Sequence, residues 1–278
     1  MVPFAKGHGT GNDFVLLPDI EGRLDLTDEM VRLLCDRRLG IGGDGVLRIV
    51  ASSATDDPDA VGAALFMDYR NADGSRAQMC GNGIRVFAAW LFGHGFADPS
   101  GVDIATRGGV RRVSRRPEGD YEVDMGKAIP VEGIGSVTVG TMAFPAVGVL
   151  VPNPHAVVFV GSLDAAGPLT SPPGLSPEQM FPEGANVEFV QEVGPAHVAM
   201  RVHERGVGET RSCGTGACAA AWASRRRPGA SDDRDYRVDV PGGSLRVRED
   251  PQGHISLIGP AEIVGEGVLS EEWIARWS

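Results

Sequence analysis

Residues 203–223, "HERGVGETRSCGTGACAAAWA", decide how the chain is read, because residues 70–90, "RNADGSRAQMCGNGIRVFAAW", echo them. Each stretch has a polar loop, then Cys-Gly-x-Gly, then an apolar run with tryptophan that reads as a helix. Aligned on Cys80 and Cys213, Asn71 and Glu204 both fall nine residues upstream. Two halves built alike predict an α+β fold of two similar, pseudo-twofold-related domains. Each is expected to fold mixed or antiparallel sheet around a central helix, with the active site in the interdomain cleft.

Working outward from the two cysteine motifs, short β-branched and aromatic runs recur between Gly, Pro and Asp: "FVLL" (14–17), "VLRIV" (46–50), "ALFMDY" (64–69), "AVVFV" (156–160), "NVEFV" (186–190) and "YRVDV" (236–240) among them. Several follow one another without a helix between, which excludes a doubly wound parallel sheet. Helical patterns are fewer. "TDEMVRLLCDRRLG" is expected to start at Thr27 and stop at Gly40, with Cys35 on its apolar side beside Val31, Leu34 and Leu39; a short "SEEWIARW" helix closes the chain. The Pro-, Ser- and Gly-rich segment 162–184 reads as a long surface connection. The expected divisions are 1–124 for the Cys80 half, 125–264 for the Cys213 half and 265–278 for a C-terminal segment packing back on the first half.

Lys plus Arg number 26 against 37 Asp plus Glu, a net charge of −11, which argues against nucleic acid as a partner. The longest apolar stretch, "FPAVGVLVP", is too short to cross a bilayer and the first residues lack a signal-peptide pattern, so no membrane association and a cytoplasmic location are expected. Four scattered cysteines do not make a disulfide framework. The glycines of "GHGTGNDF" do not make a dinucleotide loop, since Asn12 occupies the place of the third glycine and no helix pattern follows. Zinc held by Cys213 and Cys218 lacks a second pair with ligand spacing, so no metal is expected.

A cysteine before Gly-x-Gly at a helix start sits where unpaired backbone N–H groups and the positive end of the helix dipole meet, an anion site that also favours the thiolate. Two such units facing one carboxylate suit inversion at the α-carbon of an amino acid. One sulfur removes the α-hydrogen, the other delivers a proton to the opposite face, and the helix N-termini take the carbanion charge drawn into the carboxylate, with no electron-sink cofactor required. Cys35 and Cys218, set among apolar helix residues, read as buried structural thiols.

At these residues the sequence resembles the diaminopimelate epimerases over nearly its whole length, through "GTGNDF" (9–14), "RNADGSRAQMCGNG" (70–83), "NPH" (153–155), "GANVEFV" (184–190) and "RVHERGVGETRSCGTGACAA" (201–220). The resemblance implies a cofactor-independent isomerase, a homodimer, that interconverts LL- and meso-diaminopimelate for lysine and peptidoglycan precursor synthesis, with Cys80 and Cys213 as the catalytic pair. It further implies that Gly81, Asn82, Gly214 and Thr215 supply donors to the reacting carboxylate. Asn71, Asn153, Asn186 and Arg205 would hold the distal carboxylate, Glu204 the ammonium, and Asn12 lies in a substrate-facing loop. His155 and Glu204 match residues that tune the thiols.

Many family members carry glutamine where this chain has Gly45, and a tyrosine near the C-terminal strand where "AEIVGEG" (261–267) has none. The alternatives to this reading are a related racemase acting on another amino acid and a catalytically silent binding protein on the same fold. The distal clamp argues against the first and the retained cysteine pair against the second.

Overall fold

We describe residues 1–133 and 135–275 of a computed structural model of the chain. It separates into two compact units, Met1–Val123 together with the residues from Pro260 onward, and Asp124–Gly259.

In the first unit one mixed sheet runs in spatial order Glu262–Leu269, Val2–Gly9, Asn12–Pro18, Gly45–Ala51, Leu65–Asn71, Val102–Ala105, Arg111–Arg115 and the strand that begins at Tyr121. From Val2–Gly9 onward successive pairings are antiparallel, parallel, antiparallel, parallel, antiparallel and antiparallel. Helix α1 (Asp28–Cys35) and helix α2 (Gly81–Gly93) make the two parallel crossovers. Strands from both ends of the sheet touch α2, so the sheet curls around it. This is why α2 is buried on every side, from Gly81 to Leu91, its one charge, Arg85, included. The strand Asn12–Pro18 lies between both helices. Its Phe14 approaches the first turn of α2, while Val15 and Leu17 pack with Leu26, Val31, Leu34 and Cys35 around α1, and a run buried on both faces is the result.

The second unit repeats this order of pairings. Met142–Val151, Asn153–Phe159, Asn186–Gly194, His197–Glu204, Asp235–Val240, Gly243–Glu249 and His254–Gly259 join antiparallel, parallel, antiparallel, parallel, antiparallel and antiparallel. Helix α3 (Gly214–Arg225) fills the place of α2, and its alanines let the surrounding strands approach closely. The echo in sequence is therefore an echo in topology. Mixed sheet around a central helix in two similar units is the predicted fold class.

Three local expectations change. Helix α1 starts at Thr27, whose hydroxyl accepts from Met30 N–H at 3.2 Å, but it ends at Cys35 rather than Gly40. The Asp36 carboxylate takes the N–H groups of Arg38 and Leu39, both at 2.8 Å, and turns the chain away. Leu39 is consequently 68% exposed and does not share the apolar face of Cys35. Segment 162–184 is not a structureless surface loop: Gly174–Ser176 pairs with Gly135–Val139, and Ala166, Leu169 and Phe181 enter the core beside Val158 and Phe189. The C-terminal helix, α4, covers Glu271–Ile274 behind a Ser270 cap, and the rest of "SEEWIARW", from Arg276, lies outside the described residues. Among the described residues no helix is long and apolar enough to cross a membrane.

A buried charge chain braces the first unit. Asp68, 4% exposed, accepts from Arg70 Nε at 2.8 Å and Arg107 Nη2 at 2.6 Å; Arg107 also holds Asp57, and Arg48 holds Asp19. Burial alone would raise the Asp68 carboxyl, but the hydrogen bonds from Arg70 and Arg107 keep it below the usual carboxylate range. Its contribution is in place above the unfolded carboxylate value of about 4 and is lost as pH falls through the lower folded value. Removing one partner leaves two buried guanidinium groups short of charge, so Asp68→Asn is expected to cost about 3 kcal/mol in urea unfolding at pH 7, with a smaller penalty at pH 3. Equal stability of variant and parent at pH 7 would show the chain to be neutral to folding.

Candidate active site

Both motif cysteines are helix N-caps. Cys80 and Cys213 have extended backbones, at φ −134° and −122°, and each sulfur accepts the N–H three residues on: Gly83 N to Cys80 Sγ at 3.3 Å, Gly216 N to Cys213 Sγ at 3.4 Å. Ser, Thr, Asn or Asp ordinarily holds this position. A sulfur used as the cap is pinned at the positive end of the helix, where the first-turn N–H groups also point.

In the first unit "GTGN" is a two-residue hairpin turn. Thr10 and Gly11 have positive φ, 49° and 77°, and Gly9 pairs with Asn12, so the loop presents Asn12 at the start of its strand. Asn12 Oδ1 lies 3.6 Å from Cys80 Sγ and 3.2 Å from Asn82 Nδ2, which groups three of the expected residues with Gly81 at the head of α2. Asn71 ends the strand Leu65–Asn71, opposite Gly45, and its amide donates to Ser75 Oγ at 3.0 Å within the following turn. Gly45 has a physical reason. A Cβ there would lie 2.5 Å from the Arg70 carbonyl oxygen and 2.8 Å from the Tyr69 ring, so this backbone leaves no room for a glutamine side chain.

In the second unit three neighbouring strands bring their ends together beside the start of α3. His155 is in register with Asn186, and Val187 with His203, so Asn153, His155, Asn186, Glu204 and Arg205 cluster at one end of the sheet. Asn186 Oδ1 accepts the Arg205 N–H at 2.9 Å, and Arg205 Nη1 donates to the Glu183 carbonyl at 3.2 Å. Glu204 accepts from Thr210 Oγ1, and Thr215 Oγ1 lies 3.4 Å from Cys213 Sγ.

Sequence reading missed Glu188 here. Its side chain, like that of His155, is wholly buried; Oε1 lies 2.7 Å from His155 Nδ1, while His155 Nε2 lies 3.0 Å from Asn153 Oδ1. The carboxylate thus fixes the ring and turns Nε2 toward Asn153. Glu188 Oε2 is buried with no hydrogen-bond partner among the described residues. A Cβ on Gly216 would come within 2.8 Å of Glu188 Oε1 and 3.3 Å of Cys213 Sγ, so the glycine admits both groups to the same space. The signal was available: a glutamate in the apolar run "NVEFV" has to be buried on one face or the other.

The helix N-terminus does not by itself acidify Cys213, as its motif had suggested. Burial pushes this thiol well above its ordinary value, and Glu204 and Glu188 push it further; Thr215 and the Gly216 N–H oppose them without prevailing. In this environment Cys213 carries its proton. Cys35, raised by burial to about 12, and Cys218, fully buried in α3, are packing residues as expected. Among the described residues no group of three or more His, Cys, Asp or Glu could hold a metal ion.

The diaminopimelate epimerase family profile matches residues 4–131 and 148–264. A diaminopimelate epimerase of Streptomyces coelicolor is 52% identical over 282 aligned residues, covering 98% of this chain and 97% of its own. Two solved structures share the fold: a phenazine biosynthesis protein of the PhzF family from Bacillus anthracis, TM-score 0.68 at 15% identity over 97% of this chain and 99% of its own, and a probable proline racemase from Agrobacterium radiobacter, TM-score 0.69 at 14% identity over 98% and 93%.

In the folded, ligand-free protein at pH 8, Cys213 is expected to react with iodoacetamide at least about tenfold more slowly than Cys80, as followed by peptide mass spectrometry. Glu188→Gln removes one of the groups that raise Cys213 and should move its alkylation profile to lower pH. A profile that does not move would show that the Glu188 charge does not reach the sulfur.

Proposed function

The chain belongs to the diaminopimelate epimerase family, an isomerase family, and we propose that it inverts one α-carbon of diaminopimelate, LL to meso, by passing protons between substrate and the Cys80 and Cys213 sulfurs. The observation that carries the mechanism is the matched placement of the two sulfurs, each the N-cap of the central helix in its own unit.

One sulfur, as thiolate, takes the α-hydrogen as a proton. The electron pair left on carbon spreads into the adjacent carboxylate, whose developing charge is met by the first-turn N–H groups at Gly81, Asn82, Gly214 and Thr215. The other sulfur, as thiol, delivers its proton to the opposite face, so the turnover ends with the two protonation states exchanged, and the reverse reaction exchanges them back. The buried, carboxylate-flanked surroundings of Cys213 suit the donating role. No electron-sink cofactor is called for, because the helix ends take the charge.

At the other end of the substrate, Arg205 with Asn71, Asn153 and Asn186 is proposed to hold the carboxylate, Glu204 the ammonium, and Asn12 the substrate-facing loop; His155 and Glu204 set the thiols. Arginine supplies a planar fork suited to a carboxylate. The same reading carries a homodimer in the cytoplasm. Val264 and Val268, both more than half exposed on the strand Glu262–Leu269, offer apolar surface to a second copy.

The test incubates the purified protein, without pyridoxal phosphate, with LL-diaminopimelate in D2O. Meso product should form with one deuterium at the inverted α-carbon, and Cys80→Ala and Cys213→Ala should each lower epimerisation by more than about a thousandfold while substrate binding is retained. Full activity in either variant would sink the two-sulfur mechanism; exchange into proline but not diaminopimelate would reassign the substrate.

A further inference from the structure

Five charged side chains surround the Cys80 end of the first unit: Lys6, Asp13, Arg37, Asp44 and Arg85. Lys6 and Arg37 hold Asp13, with Lys6 Nζ to Asp13 Oδ2 at 2.5 Å and Arg37 to both carboxylate oxygens at 2.7 and 2.9 Å. Arg37 also donates to Asp44 Oδ1 at 2.8 Å. Arg85 is wholly buried in α2 and spreads its fork over Gly81 O at 3.0 Å, Asn82 Oδ1 at 3.1 Å, Thr10 Oγ1 at 3.3 Å and Pro260 O at 3.3 Å. Gly9 makes room for it, since a Cβ there would lie 3.1 Å from Arg85 Nη2.

Between Arg85 and Asp44 runs a chain of two amides. Arg85 can only donate, so it takes the oxygen of Asn82; Asn82 Nδ2 then donates to Asn12 Oδ1 at 3.2 Å; Asn12 Nδ2 donates to Asp44 Oδ2 at 2.7 Å, and the ionised carboxylate can only accept. With a cation at one end and a carboxylate at the other, neither amide can turn over without setting donor against donor or acceptor against acceptor. We propose that Asp44 and Arg85 are positioning residues that fix the direction of the Asn82 and Asn12 amides from opposite ends, so that the Asn12 carbonyl oxygen faces the Cys80 sulfur. That oxygen, 3.6 Å away, receives the S–H that Cys80 carries once it has taken a proton. It offers a bare thiolate nothing. The locked amide therefore makes Cys80 a stronger base than the helix dipole and the Gly83 N–H alone would leave it. The position matching Arg85 in the second unit is Cys218, so the device belongs to the Cys80 half only.

The inference rests on Cys80 as a proton carrier, but its test does not require diaminopimelate. The pH dependence of Cys80 alkylation by iodoacetamide is read by peptide mass spectrometry in the parent, Asp44→Asn, Asn12→Ala and the double variant. The Asp44 side chain is 43% exposed, so its amide variant is expected to fold. An amide at 44 can donate as well as accept, so it removes one of the two constraints that keep Asn12 Nδ2 away from the sulfur and lets the turned-over amide compete. The Cys80 profile should then move to lower pH by about one unit, and epimerisation should fall about tenfold. In the Asn12→Ala background Asp44→Asn should no longer move it, because the transmitting amide is gone. A shift that persists there would mean a through-space charge effect, and no shift in either background would mean that Asp44 does not act on Cys80; each overturns the proposal. Arg85→Lys keeps the charge but loses the fork and should move the profile in the same direction, and an unchanged profile in the folded variant removes Arg85 from the device. A parent protein that fails to epimerise diaminopimelate would refute the functional reading while leaving the alkylation results to decide this one.

Discussion

Everything in this protein hangs on a helix whose first N–H groups are closed by a sulfur instead of an oxygen. An N-cap Ser or Asp would satisfy Gly83 or Gly216 at least as well and would make the helix more stable. Cysteine satisfies it with a group that can gain or lose a proton, and it does so at the one point of a buried helix where backbone donors face outward. The curled sheet follows from that requirement. A helix buried on every side is wrapped on every side except its end, and that end is where the proposed site lies.

The two units repeat their pairings but not their chemistry. Around Cys80 the charges are tied into a hairpin and amide network with an arginine at one end; around the buried Cys213 stand two carboxylates, one of them holding a histidine. The same cap geometry thus holds one sulfur in a polar, cation-anchored setting and the other in a buried, acidic one. On the proposed reading, a proton relay with two identical ends would have no preferred direction, and the difference between the surroundings is what would set where the proton sits before substrate arrives.

Much of this was legible in the residues. The Cys-Gly-x-Gly repeat, the apolar helices behind it and the strand-rich remainder fix the α+β class, and Thr27 announces the start of α1. The chain's ends of elements were harder to read: Asp36 stops α1 by a side-chain turn that competes with the next helical hydrogen bond, and nothing in a periodicity shows which will win. Ala166, Leu169 and Phe181 sit in a Pro- and Gly-rich stretch whose composition conceals that they are core. Glu188 and Arg85 were visible as charges in apolar runs, but their partners lie on other elements, and a motif records only what is close in sequence. The raised Cys213 thiol had the same origin, since burial by strands far along the chain outweighs a local helix dipole.

Gly45 and Asn186 stand at corresponding places, each at the start of the third strand of its set, one with no side chain and the other with an amide that orders Arg205. A duplicated scaffold has thereby been made one-handed: what one half leaves blank the other inscribes. LL-diaminopimelate has interchangeable ends, so it can enter a one-handed site either way round and still present a centre to be inverted. The meso isomer has unlike ends and only one correct way in. On the proposed reading, such a site tells the two ends of the meso isomer apart while treating those of the LL isomer alike, and the bare glycine in one half opposite the asparagine in the other is part of what distinguishes them.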